Sequence, residues 1–239
     1  MNQGIYPLAA NMVNQLNRVD TISNNLANSN TVGFKQDRLA EGSFNHYLEK
    51  MADENKEPKE YSKIINTIPK IDNNYLNSTL GSIVNTGNDL DFAISSNDSF
   101  FKVKDNNGEI QLTRDGEFKS LNGFLVTSNG FQVLDKDDKP IEVDGGEFKR
   151  KIELITTSFT NLNKIGNNNY SIKDQDKLVP TENKDDILIQ GSIEKSNVNQ
   201  VETMVSLIEA QRRFEQAQKA ISGIDELNRK VIDTVGNGR

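Results

Sequence analysis

Leu207, Ala210, Phe214, Ala217, Ile221, Ile224, Asn228, Val231 and Val235 advance in alternating steps of three and four, a heptad line that only an α-helix gathers onto one face. A helix this long with so narrow a seam needs a partner along most of its length, and this limits the folds open to the chain. Val198, Val201, Val205 and Ile208 form an adjacent stripe upstream, so the first part of the helix presents a broader apolar face than the last. Asn199 followed three positions later by Glu202 has the spacing of a capping box, and Gly236 and Gly238 supply a stop.

The opposite end of the chain carries a second line of the same period. Ile5, Ala9, Met12, Leu16, Val19 and Leu26 fall on it, with Ser23 as its polar member. Asn11, Asn14, Asn17, Asn24 and Asn25 occupy other faces, each lowering helix propensity by roughly several tenths of a kcal/mol relative to alanine. A helix with a seam but weak propensity is marginal alone and predicts packing against another surface. The run Asn28-Ser29-Asn30-Thr31-Val32-Gly33 ends it. The two lines can pair with each other as a coiled-coil layer, or each can pack on a separate domain as an ordinary amphipathic helix; periodicity leaves both open.

Between residues 80 and 190 the period shortens to two. Leu90, Phe92 and Ile94 alternate, then Phe101 and Val103, Ile110 and Leu112, Phe131 and Val133, Ile141 and Val143. Asn107-Gly108, Asp115-Gly116, Asn122-Gly123 and Asn129-Gly130 suit type I′ hairpin turns, which predicts an antiparallel meander. Residues 145–185, with Asn167-Asn168-Asn169 and many charges, read as a small subdomain or a long loop. The run from Met51 to Lys63, charged at most positions, reads as a solvated connector. The expected fold is α+β. Residues 1–35 form an N-terminal helix and turn, 36–75 a linker or peripheral segment, 76–190 a central antiparallel all-β domain, and 191–239 a C-terminal helix that joins the N-terminal one in an inner coiled-coil domain.

Composition removes several chemistries. The chain has 239 residues, no cysteine and a single histidine, so disulfides, thiolate metal sites and cysteine nucleophiles are absent and His46 is the one imidazole for any histidine-dependent site. No nucleophile elbow accompanies it. Asp135, Asp137 and Asp138 faintly resemble a calcium loop but lack its glycine and closing glutamate, and read better as an acidic turn. Asp144-Gly145-Gly146-Glu147 lacks the spacing and lysine of a phosphate loop. The acidic residues, 35 in all, frame no distinguished carboxylate pair. Arg212-Arg213 sits beside Glu209 and Glu215 on a mixed face that suits solvent or a subunit contact. The net charge of −7 argues against nucleic acid and anionic membranes as partners, and no apolar run approaches a membrane span. With no positive charge before Arg18, the start lacks the pattern of a secretory signal peptide. Aromatic residues at 7 % without tryptophan are thin for a sugar-stacking platform, which leaves a secreted wall-binding module as the minor alternative to a structural protein.

Asn24-Asn25-Leu26-Ala27-Asn28-Ser29-Asn30-Thr31-Val32-Gly33-Phe34-Lys35 closely resembles the N-terminal signature of the flagellar rod and hook proteins. The stretch from Gly191-Ser192-Ile193-Glu194-Lys195-Ser196-Asn197-Val198-Asn199 to Gln211-Arg212-Arg213-Phe214-Glu215 looks like that family's C-terminal signature. Leu90-Asp91-Phe92-Ala93-Ile94, Leu112-Thr113-Arg114-Asp115-Gly116 and Gly123-Phe124-Leu125-Val126-Thr127 are similar to the β domain of its longer rod members. Length and the run Arg212 to Glu215 favour the proximal rod branch, while Asn28-Ser29-Asn30-Thr31 is more like the distal and hook pattern, which keeps the distal branch as the alternative.

The resemblance implies a structural, non-enzymatic subunit of the basal-body rod in the periplasm, polymerising helically to transmit torque from motor to hook. Its helices would form an inner coiled-coil layer with the β domain outside. Its partners would be other copies, neighbouring rod subunits and, during type III export without a cleavable signal, the export apparatus. No cofactor is expected. Leu16, Val19, Leu26, Leu207, Phe214, Ile221 and Ile224 are expected at subunit interfaces as seam residues, with Asn28, Asn30, Gly33 and Phe34 as the turn that leaves the first helix.

Overall fold

The computed structural model describes residues 5–43, 69–143, 148–181 and 184–236. The chain is α+β, with helices Ile5–Ala27 and Gln200–Gly236 at its two ends and antiparallel strands between them. It divides into two compact units: one holds the two long helices and residues 37–75, the other Ala27–Gln36 and Leu76–Val198. The expected segment 36–75 carries paired strands at its two ends, β1 (Asp37–Ser43) and β2 (Pro69–Leu76). The charged run from Met51 to Lys63 and His46 lie outside the described residues.

In the helical unit the C-terminal helix starts as its sequence predicts. The Asn199 carboxamide oxygen accepts the Glu202 amide at 3.3 Å, satisfying one of the free N–H groups of the first turn. Ala210 and Ala217 are buried, and Leu207, Phe214, Ile221, Ile224 and Asn228 half-buried, so as far as Asn228 the heptad line is the face the helix turns inward, while Val231 beyond it is exposed. The N-terminal helix differs from its expected seam. Its least exposed line is Leu8, Asn11, Gln15, Arg18, Ile22 and Asn25, while Leu16 is 46 % exposed and Ala9 and Ser23 are exposed. Hydrogen bonding supplies the physical reason. Asn25 donates to the Asp37 carbonyl at 2.7 Å and accepts the Asp37 amide at 2.9 Å, so one side chain satisfies both polar groups of a single residue and is drawn inward with them.

Among its described residues the other unit has thirteen strands. Its short early members are β3 (Ile83–Asn85) and β4 (Phe92–Ile94). Then come β5 (Ser99–Lys104), β6 (Ile110–Thr113), β7 (Lys119–Leu121), β8 (Phe124–Val126) and β9 (Gln132–Val133). Within 145–185 the described residues form no loose loop, since they supply β10 (Leu154–Thr156), β11 (Leu162–Gly166), β12 (Asn169–Ile172) and β13 (Val179–Pro180) to the same sheet. The last two, β14 (Leu188–Gln190) and β15 (Ser192–Glu194), pair with β4 and β3. The main sheet runs β11-β12-β6-β5-β9-β8-β7, with β10 joining β5 beside Ser99–Phe101 and pairing in turn with β13.

Phe100 and Phe101 show why this sheet needs no second layer of its own sequence period. Consecutive strand residues point to opposite faces, and both rings are fully buried. Phe101 packs with Phe92, Phe118, Leu125 and Leu154, whereas Phe100 packs with Leu112, Leu162 and Tyr170. Both faces of β5 are therefore core, each ring contributing roughly 1.5–3 kcal/mol of burial.

The turn chemistry sorts the four Asn/Asp-Gly pairs differently from expectation. Asn122 and Gly123 both have positive φ, at 54° and 84°, and form the two-residue type I′ turn joining β7 to β8. At Asn107-Gly108 and Asn129-Gly130 only the glycine is left-handed. Asp115-Gly116 is no hairpin: a Cβ on Gly116 would lie 1.7 Å from the Phe92 carbonyl oxygen, and Gly116 accepts the Phe92 amide at 2.9 Å. That glycine serves close backbone approach. The additional two-residue turn is Asn167-Asn168, at φ 50° and 59°, between β11 and β12. The acidic turn at Asp135 is as expected, its carboxylate accepting the amides of Asp137 and Lys139.

Candidate functional site

Helix Ile5–Ala27 is followed by a tight turn: the Thr31 amide donates to the Asn28 carbonyl and the Thr31 hydroxyl to the Asn28 side-chain oxygen, both at 3.2 Å. Asn28, which accepts that hydroxyl, is half-buried, and Asn30 is exposed. Gly33, at φ +67°, donates its amide to the Glu194 carbonyl at 2.7 Å. Phe34 is buried, with the Lys164 ammonium 4.0 Å above its ring, and Asn168 donates to the Val32 carbonyl at 2.7 Å. The β11–β12 hairpin therefore holds this turn from one side.

The other side is held by charge. Lys35, Arg114 and Glu194 are all buried. The Lys35 ammonium meets one Glu194 carboxylate oxygen at 2.7 Å and the Thr79 carbonyl at 2.8 Å. Arg114 grips the other oxygen through Nε at 3.0 Å and Nη2 at 2.7 Å. Its Nη1 donates to the carbonyls of Ser96, at 2.7 Å, and Ser99, at 2.5 Å. Gly81 adds an amide to Glu194 at 2.9 Å. One carboxylate thus serves two cations, and burial pulls the Lys35 ammonium below its ordinary lysine value while Glu194 opposes that shift. Asn197 closes the arrangement, accepting the Gln36 amide and donating to the carbonyls of Asn77 and Thr79.

Lys35, Arg114 and Glu194, a buried ion group, each stand inside a motif quoted above without being distinguished by its pattern. Period and turn analysis assign charged residues to solvent, and the available signal was a lone charge embedded in an otherwise small or apolar signature. Among the described residues no group of three or more histidine, cysteine, aspartate or glutamate side chains is placed to hold a metal. The residues Asp144-Gly145-Gly146-Glu147 lie outside them.

Beside Arg114, Asp115 is pushed up from 3.8 to about 6, chiefly by burial and further by the charges of Glu117 and Asp91. Between those two values the folded protein binds a proton the unfolded chain has released, so this group lowers stability as pH rises, by about 3 kcal/mol once both forms are ionised. Asp115→Asn keeps the acceptor for the Glu117 amide. The variant is expected to lie close to the wild type near pH 4 and to exceed it by about 3 kcal/mol at pH 7, measured by urea denaturation at the two pH values.

Within the helical unit, Val19 and Leu26 are half-buried, as are Leu207, Phe214, Ile221 and Ile224. A groove of about 310 Å³ is lined by Leu8, Asn11 and Gln15 from the first helix and by Arg213, Gln216, Ala217 and Ala220 from the last. Arg212 is exposed. No described helix is long and apolar enough to cross a membrane.

Three family descriptions match the sequence. "Flagella basal body rod protein" covers residues 10–35, "Flagellar hook protein FlgE/F/G D1 domain" covers 93–200, and "Flagellar basal body rod FlgEFG protein C-terminal" covers 189–234. The chain is 30 % identical over 256 residues to the flagellar basal-body rod protein FlgF of Rhizobium meliloti, with all of both chains covered. The chain belongs to the flagellar basal-body rod protein family. FlgF of Caulobacter vibrioides is 30 % identical with 99 % of each chain covered. FlgG of Buchnera aphidicola from Acyrthosiphon pisum is 30 % identical, covering 89 % of this chain and 92 % of its own. The protein is thus a structural subunit of the flagellar rod, best matched by the FlgF, proximal type. Each matched segment of the family contributes to the buried ion group: Lys35 from the first, Arg114 from the second, and Glu194 from the overlap of the second and third.

Proposed function

We propose that the protein polymerises helically with its own copies and with neighbouring rod subunits, forming part of the shaft that carries torque from motor to hook. The two terminal helices pack as an inner coiled-coil layer and the β unit lies outside. The carrying observation is the apolar surface that the helical unit leaves uncovered. Val201 is 73 % exposed, and Met204, Val205 and Ile208 share its exposed face. The first helix likewise exposes Val13 and Leu16. A stripe of this kind beside an already half-buried seam supports packing against further helices, and an identical contact repeated without closure generates a helical assembly. Leu16, Val19, Leu26, Leu207, Phe214, Ile221 and Ile224 serve this packing, while Asn28, Asn30, Gly33 and Phe34 set the path by which the chain leaves the first helix for the β unit. The chain reaches the basal body through the flagellar export apparatus, with no role for a cofactor or catalysis.

Deletion of the gene in its native cell is expected to abolish swimming and to leave isolated basal bodies with truncated or absent rods in electron micrographs. Complete basal bodies in a motile deletion strain would end this reading.

A further inference from the structure

We propose that the turn Ala27–Gln36 is an obligatory part of the β unit's fold and that Glu194 is its latch, so that the strands become stable only when the turn is docked and Glu194 is in place. Burial and sequence separation both lead there. Lys35 and Glu194 are 159 positions apart and Arg114 and Glu194 are 80 apart, so neither pair forms until a long loop has closed. Each partly assembled state leaves buried groups unsatisfied: Arg114 without Glu194 is a buried cation with no counter-charge, and without Lys35 one Glu194 oxygen keeps only the Gly81 amide while the Thr79 carbonyl loses its ammonium donor. Such states are disfavoured relative to both the fully closed and the fully open ones.

The latch also reaches into the strands. Arg114 donates to the carbonyls of Ile94 at the end of β4, of Ser96, and of Ser99 at the start of β5. Gly33 and Phe34 hang on the backbone of Glu194 and Asn197, Val32 on Asn168, and the Gln36 carbonyl on the Asn77 amide, so three separate segments of the β unit close on ten residues of the N-terminal turn. The ten residues are a non-local plug completing the unit, and the fold is all-or-none across a span that ends at Glu194. This inference concerns the subunit alone and stands whether or not it assembles as proposed above.

Native-state hydrogen exchange on the full chain tests it. Lys35→Met removes one cation and leaves Arg114 paired with Glu194. The expected result is that protection of Gly33 and of the distant amides of Leu125 and Leu134 falls together by the same factor, tenfold or more. Loss of protection at Gly33 and Phe34 with Leu125 and Leu134 unchanged would mean that the turn merely lies on a self-sufficient β unit, and would overturn the proposal. Should Lys35→Met fail to fold, Asn168→Gly decides by the same comparison. It keeps the positive φ of the β11–β12 turn, touches none of the buried charges, and removes only the side-chain bond to Val32.

Discussion

Glu194→Ala is expected to lower the stability of the β unit by about 3–5 kcal/mol, enough to unfold much of the population at 37 °C in a domain whose total is roughly 5–15 kcal/mol. The substitution removes both oxygens that Lys35 and Arg114 share and strips a partner from the Gly81 amide. Two cations then face each other without a counter-charge in a site closed to water. Replacing the group with apolar residues would not repair the loss, because Arg114 also satisfies the carbonyls of Ile94, Ser96 and Ser99, and these would be left unpaired. Urea denaturation followed by circular dichroism reads the effect. A midpoint within the error of wild type would show that the carboxylate is dispensable and that the two cations tolerate burial alone.

Gly33→Ala carries the second large effect. A Cβ there would sit 2.3 Å from the Arg114 carbonyl oxygen and 2.7 Å from the Asp115 amide nitrogen, both backbone atoms with little freedom to retreat. The residue also has φ +67°, which costs an L-residue roughly 1–2 kcal/mol before any contact is counted. Moving the turn to relieve the clash would stretch the bond from Gly33 to Glu194 and disturb the burial of Phe34 and Lys35. The combined loss is expected at about 3 kcal/mol or more. Gly130→Ala is the matched control, since Gly130 has φ +82° but nothing within 4 Å of its would-be Cβ. It is expected to cost about 1 kcal/mol, the conformational part alone. Thermal midpoints of the two variants that fell by the same amount would remove the close approach from the explanation.

The helices and the type of the central domain were legible because each rests on information carried by near neighbours. The line from Leu207 to Asn228 is inward, as its spacing predicts, and Asn199 caps the helix it precedes. Alternation placed Phe92, Phe101, Leu112, Val133 and Ile141 correctly in the core. In the N-terminal helix the two most enclosed residues, Gln15 and Asn25, lie one position before the heptad line, and Asn25 is held there by its two hydrogen bonds to Asp37, while Leu16 is left exposed. A helix propensity and a period cannot weigh a polar contact with a residue twelve positions away.

The turns show the same division. Asn122-Gly123 needs only its own two residues to form a type I′ turn, and it forms one. Asp115-Gly116 has equally suitable chemistry, yet its glycine is required where the chain passes the backbone of Phe92. Asn167-Asn168 makes a turn of the same class without glycine, its tip held by bonds from Asn168 to Val32 and from Thr113 to the Asn168 carbonyl.

By itself, then, the sequence determined two helices at its ends, an antiparallel β region between them, and the local turns whose φ values their own residues permit. It also carried the family signatures from which the structural role follows. Only the tertiary structure decided which face of the first helix is inward, why Gly33 and Gly116 have no room for a side chain, and that Lys35, Arg114 and Glu194 form one buried group. The physical reason is range. Period and turn preference act over a few residues, whereas the cost of burying a charge is set by which distant charge meets it, and no local pattern encodes that meeting.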